Sequence, residues 1–171
     1  IEQPGLYRKI HQVDLKQVSA IDFALSHDDG LHPEDLPQAE IILVGLSRAG
    51  KTPLSMYLAV LGWKVANVPF VPSIPMPDII SGIDKRRIIG LDINADQLMA
   101  HRKLRQQDLG TSDIYSYSSK EGINNEIVSV RRYFVTNGFS MIDVSNKPIE
   151  SSAEEIIEMI TRRFKQDAHK T

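Results

Sequence analysis

The stretch Ala39 to Tyr57, AEIILVGLSRAGKTPLSMY, constrains this chain more than any other. Ile41, Ile42, Leu43 and Val44 make a short run of β-type apolar residues, and Leu54, Met56, Tyr57, Leu58, Val60 and Leu61 then recur at helical spacing. Between the two, Gly45 to Thr52 has the spacing G-x-x-x-x-G-K-T. A strand, a glycine-bounded turn and a helix start in that order form a phosphate-binding loop. Gly45 and Gly50 allow the backbone to turn tightly, so that the amides of Leu46, Ser47, Arg48 and Ala49 approach an anion. The helix start adds unpaired donors and the positive end of a dipole. Lys51 is placed to reach the outer phosphates and Thr52 to ligate Mg²⁺. Pro53 falls in the first helical turn, where its missing N–H costs nothing.

At 171 residues the chain fits one domain with a full hydrophobic core. Its 20 basic and 22 acidic residues nearly balance, which argues against nucleic acid or a membrane surface as the main partner. There is no cysteine, so disulfides and thiol-ligated zinc are excluded, and a reducing cytoplasm is the expected location. No apolar run approaches membrane-spanning length. Because Ile1 is not a methionine, the chain is expected to be part of something longer.

Taken in order, Ile1 to Tyr7 reads as a lead-in loop and Val13 to Leu25 as an amphipathic helix. That helix stops at Ser26-His27-Asp28-Asp29-Gly30, where the D-G pair signals a turn. Pro33 to Pro37 is a second loop. After the phosphate loop and its helix, Trp63 to Val68 is a second strand, and the prolines at 69, 72, 75 and 77 mark a stiff loop at its carboxyl end. Arg87 to Ile93 is a third strand, whose central Gly90 signals close backbone approach. Ala95 to Gln107 is a helix, Gly110 to Ser119 a mobile irregular segment, and Asn124 to Asn137 a helix ended by Gly138. Phe139 to Val144 alternates poorly and is expected to be a strand buried on both faces. Glu150 to Phe164 is the last amphipathic helix. The expected fold is α/β and P-loop kinase-like, a mostly parallel sheet of about four or five strands flanked by helices with right-handed crossovers. Residues 1–171 form one nucleotide-binding domain, with 1–38 as a helical lead-in.

A phosphate loop normally works with an acidic residue at a neighbouring strand end. Asp92 and Asp143 both qualify by position, and the pair Asp28 and Asp29 is a third candidate. His27 with Asp28 and Asp29 suits either holding Mg²⁺ or deprotonating a hydroxyl, though Asp and Gly are also ordinary turn residues. Arg102 and Arg105 are neighbours on one helix face, which suits a solvated surface or a lid over a transferring phosphoryl group. The five histidines are scattered without metal-binding spacing and read mostly as surface residues.

Several segments together resemble the family of bifunctional kinase/pyrophosphorylases that regulate pyruvate, phosphate dikinase and phosphoenolpyruvate synthase. They are PGLYRKI at Pro4 to Ile10, HDDG at His27 to Gly30, GLSRAGKTPLSMYLA at Gly45 to Ala59, KVANVPFVP at Lys64 to Pro72 and IDVSNKPIE at Ile142 to Glu150. The resemblance covers nearly the whole chain, and its combined motifs are more specific than the loop alone. Where the family pattern is G-L-T-I, this chain has Gly90-Leu91-Asp92-Ile93, which weighs against a shared role for Asp92. Family members carry a further N-terminal domain, so the resemblance implies that this chain is the C-terminal, catalytic part.

The resemblance also implies a reaction. The family transfers a phosphoryl group from ADP to a threonine beside the target's catalytic histidine, inactivating it. In reverse, inorganic phosphate attacks the phosphothreonine and pyrophosphate leaves. On that basis Lys51 neutralises charge, Thr52 binds Mg²⁺, and Asp28 or Asp29 is the base, with His27 as helper. Asp143 and Asn146 are expected near the adenine or the metal. KVANVP and DVSNKPIE are closer to the dikinase-regulating branch than to the synthase-regulating one, where A-A-N-Y-P is typical. The expected partner is therefore one of those two enzymes, and a homo-oligomer is compatible with the sequence. Two rivals share the same motif: an ATP-dependent small-molecule kinase, favoured by a closed acceptor pocket, and a non-catalytic nucleotide sensor, favoured by binding without transfer.

Overall fold

The computed structural model describes residues 4–109 and 119–168, with side chains described for 15–105 and 119–165. Four strands, β1 (Ile41–Gly45), β2 (Val65–Pro69), β3 (Ile88–Asp92) and β4 (Ser140–Asp143), form a wholly parallel sheet in the order β2-β1-β3-β4. Ile41 pairs with Val65, Ile42 with Ile88 and Ile89 with Ser140. Among the described residues five α-helices connect and cover them: α1 (Pro4–Ser26), α2 (Lys51–Val60), α3 (Ala95–Leu109), α4 (Lys120–Asn137) and α5 (Ile149–Ala168).

The period-two alternation of a strand divides the core into two layers. Ile41, Leu43, Ile89 and Leu91 face α2 and α5, where they meet Leu54, Leu58, Ile156 and Ile160. Ile42, Val44 and Ile88 face α3 and α4, where they meet Leu98, Ile127, Val130 and Phe134. Both faces of β1 are therefore buried throughout, which accounts for its unbroken apolar run. Helix α1 packs against α2 through Ala20, Ala24 and Ala59. Gly90 is the close approach expected of it: a Cβ there would lie 2.7 Å from the Phe134 ring.

Three expectations require correction. Backbone helix begins at Pro4 rather than near Val13, because proline is well tolerated as a first helical residue and Gly5 does not break the turn. Pro33–Gln38 is a short 3-10 helix rather than an open loop. Strand β4 is not buried on both faces. It is the last strand in the sheet order, with Ile142 buried against α5 and Met141 41% exposed, so its poor alternation marks an edge. The segment Gly110 to Ser118 lies outside the described residues, and Ser119 caps α4 by accepting from the Gly122 amide. Among the described residues no helix is long and apolar enough to cross a membrane.

Candidate phosphate-binding site

The loop between β1 and α2 turns through two left-handed residues, Arg48 at φ 69° and Gly50 at φ 98°. Gly50 occupies the N-cap of α2 in a conformation that strains any residue with a Cβ. Gly45 has a different reason to be glycine. It is the last residue of β1, and a Cβ there would press to 3.3 Å on that of Leu91. The expectation that both glycines serve the turn is thus corrected: Gly50 supplies the left-handed turn, whereas Gly45 allows the close approach to Leu91.

Lys51 is only 5% exposed, and its Nζ donates to the Leu46 carbonyl at 2.8 Å. Desolvation pushes its pKa down to about 8; the charge of Asp29 opposes that shift, and those of Arg102 and Arg48 add to it. An ammonium has three donors, so the carbonyl bond leaves capacity for an anion.

The turn Asp28–Gly30 stands directly over this loop. Asp28 Oδ1 accepts from Thr52 Oγ1 at 2.8 Å and from Asn67 Nδ2 at 2.6 Å. The other end of the Asn67 amide accepts from the Asp29 backbone at 2.9 Å, and Nδ2 also donates to Ser55 Oγ at 3.1 Å. Asn67 is 1% exposed on β2, so this single buried amide aligns both aspartates, one by its carboxylate and one by its backbone. Asp29 is itself left-handed, at φ 53° and ψ 41°, and its residue stays exposed at the cavity mouth. A cavity of about 350 Å³ is lined by Asp28, Asp29, Arg48, Lys51, Thr52 and His101.

His27 is corrected as a catalytic helper. Its ring is buried, stacked at 4.0 Å on Phe23, with Nδ1 donating to the Phe23 carbonyl at 2.8 Å and Nε2 3.0 Å from Asp35 Oδ2. Both nitrogens are thereby engaged outside the cavity, and the residue fixes the end of α1. Arg102 and Arg105 do not form a paired lid: Arg102 is 0% exposed and Arg105 is in solvent. The Arg102 side chain instead donates from Nε to the Ser47 carbonyl at 3.1 Å and forks onto Glu126 of α4, at 2.5 and 3.3 Å.

Asp92 pairs with Arg131 at 2.8 Å. Asp143 accepts from the Ser145 amide at 2.9 Å, and hydrogen bonds from Ser145 hold its carboxyl below the usual range. Asn146, left-handed at φ 55°, donates its amide to Gln97 Oε1 at 2.7 Å. Asp143 and Asn146 shape the β4 exit loop beside a smaller apolar cavity of about 150 Å³ that Gln97, His101 and Val144 help to line.

Asn67 and His101 are the site residues that sequence reasoning missed. A lone asparagine inside Val65-Ala66-Asn67-Val68 was a usable signal, since a polar residue in a buried strand requires partners. His101 carries no such signal.

Among the described residues no three His, Cys, Asp or Glu side chains cluster to cage a metal. Thr52 Oγ1 and Asp28 Oδ1, 2.8 Å apart, do fit Mg²⁺, which takes few protein oxygens and completes its shell with phosphate and water.

A kinase/pyrophosphorylase family model matches residues 1–157. Proteins named as pyruvate, phosphate dikinase regulatory proteins are similar along almost the whole chain. That of Desulfotalea psychrophila is 66% identical over 98% of this chain, that of Chloroflexus aurantiacus 48% over 96%, and that of Geobacter sulfurreducens 44% over 93%. The chain spans 59%, 59% and 60% of those relatives' own lengths. With the parallel sheet, the phosphate loop and these matches in agreement, the chain belongs to the kinase/pyrophosphorylase family.

Proposed function

We propose that this chain performs the phosphoryl-transfer chemistry of a bifunctional regulator whose target is pyruvate, phosphate dikinase, with phosphoenolpyruvate synthase as the other candidate. In one direction a threonine hydroxyl of the target attacks the β-phosphorus of ADP. The bond to the bridging oxygen breaks, AMP leaves, and the hydroxyl proton passes to a carboxylate. In the other, an oxygen of inorganic phosphate attacks the phosphothreonine phosphorus. Pyrophosphate then forms, and the threonine oxygen recovers a proton.

The observation that carries this reading is the bond from Thr52 to Asp28, which ties the HDDG turn to the mouth of the phosphate loop. Carboxylates thus line the same cavity as Lys51, which supports reading it as the place where a phosphoryl group is received and an acceptor hydroxyl arrives. Loop amides cradle the phosphate and Lys51 neutralises its charge. Asp28, already receiving two hydrogen bonds, acts with Thr52 on the metal side. Asp29, exposed and anchored through its backbone, is the base. Mg²⁺, when bound, neutralises charge across the phosphate oxygens. The names borne by the similar proteins supply the target class.

The test is label transfer from β-labelled ADP, with γ-labelled ATP in parallel, to pyruvate, phosphate dikinase charged on its catalytic histidine. Threonine labelled from ADP alone, and released as pyrophosphate on adding phosphate, is the expected result. Labelling from ATP instead would refute the assigned donor. Loss of both reactions in Asp29→Asn is expected, and full activity there would remove the base assignment.

A further inference from the structure

Three successive carbonyl groups of the phosphate loop are each held by a side chain. Leu46 O accepts from Lys51 Nζ at 2.8 Å, Ser47 O from Arg102 Nε at 3.1 Å, and Arg48 O lies 3.2 Å from His101 Nδ1. His101 and Arg102 are adjacent on α3, so one point of that helix grips the loop apex twice. The Arg102 guanidinium is fully enclosed, and its outer nitrogens fork onto the Glu126 carboxylate. A buried charge without a partner is strongly disfavoured, so the Glu126 carboxylate helps to offset the cost of placing Arg102 behind the loop.

An anion-binding loop works by presenting N–H groups and turning its carbonyls away. Because a peptide unit is planar and trans, fixing the Ser47 carbonyl on Arg102 also fixes the Arg48 amide toward the opposite side. Arg102 is not part of the cavity wall, whereas Ser47 and Arg48 are. Arg48 itself sits at φ 69°, a conformation that a residue with a Cβ keeps only when its surroundings enforce it. The enforcing contacts are on either side of it, at the carbonyls of residues 47 and 48.

We propose that Arg102 is a positioning residue, held by Glu126, that keeps the phosphate loop in its anion-binding conformation. Helix α4 thereby sets the affinity of the site for every phosphate-bearing ligand, nucleoside diphosphate and pyrophosphate alike. The inference rests on reading this loop as the cradle of the transfer site.

The experiment is calorimetric binding of ADP and, separately, of inorganic pyrophosphate to the full chain, beside thermal melting and the transfer kinetics. Arg102→Lys keeps the charge and loses the fork; Glu126→Gln keeps the shape and loses the charge. Both ligands are expected to weaken together, by about tenfold in Arg102→Lys and by about threefold in Glu126→Gln, the scale of lost charge-assisted bonds. KM for ADP rises in parallel, and kcat falls by less than KM rises. A lowered melting temperature with both affinities intact overturns the proposal, because it leaves Arg102 as a purely structural residue. Weakened ADP with unchanged pyrophosphate also overturns it, since that pattern belongs to a nucleoside contact. Should Arg102→Lys fail to fold, Glu126→Gln and Glu126→Asp decide the matter on the same readouts. Because binding is read without transfer, clamp-dependent affinity in a chain that transfers nothing supports the clamp and refutes the assigned activity alone.

Discussion

At the carboxyl end of β1 a cavity of about 350 Å³ is walled by Asp28, Lys51 and Arg48, whereas near the amino ends of the same strands a larger one, about 500 Å³, is walled by Trp63, Ile160 and Phe164. The parallel sheet creates the difference. Helix α2 begins at the carboxyl end of its strand, so unpaired amides and the positive dipole end gather there. At the opposite end two cations are already engaged. Arg86 and Arg87 lie 4.8 and 5.5 Å from the Phe164 ring, and Arg86 also pairs with Asp84 at 2.6 Å. Size alone therefore does not decide which of the two cavities suits phosphoryl transfer. The smaller cavity has the aligned donors and carboxylates that phosphoryl chemistry requires.

The contrast can be broken most severely at Lys51. Lys51→Ala should slow transfer by roughly 10²–10³-fold in both directions, the usual cost of removing a preorganised charge from a transferring group, as single-turnover kinetics would register. Gly90→Ala should strike both ends alike, because its Cβ would enter the Phe134 ring between the layers. A loss of about 3 kcal/mol in urea unfolding is expected, with partial recovery in the double variant carrying Phe134→Leu.

A subtler effect follows from the Lys51 pKa of about 8. Burial favours the neutral amine in the folded chain, so between about 8 and the ordinary lysine value of 10.5 the unfolded state binds more protons. Stability should rise with pH across that window. A bound phosphate favours the ammonium, so ADP affinity should fall as pH rises through about 8, with proton uptake detectable by calorimetry in buffers of different ionisation heat. The smallest effect belongs to the far cavity. Trp63→Ala should lower the melting temperature yet leave KM for ADP within about twofold, surface-remote substitutions being nearly additive with the site.

What was legible in the sequence follows the same division. The strand, loop and helix around Gly45 to Thr52 are written in adjacent residues, and so are the parallel topology and the close approach at Gly90. The two aspartates were visible as a turn, but not the amide that aligns them. Asn67 reaches Asp28 and Asp29 across nearly forty positions of chain, and the packing of the Asp28–Gly30 turn on β2, where the Asn67 backbone amide donates to the His27 carbonyl at 3.3 Å, brings them together. Arg102 read as surface or lid because its fate depends on Glu126, which lies on another helix. Edge placement of β4 depends on strand order, which local pattern does not encode. His27 looked chemical beside two carboxylates, yet contacts with Phe23 and Asp35 commit both its nitrogens.

The central claim is that one phosphate cradle serves both directions of the reaction. Titrating ADP into the chain at increasing fixed concentrations of inorganic pyrophosphate tests it most directly. The account predicts that the apparent Kd for ADP rises in proportion to pyrophosphate, as mutual exclusion from the Lys51 loop requires. An ADP affinity that stays constant while pyrophosphate is demonstrably bound would mean two separate sites and would contradict it.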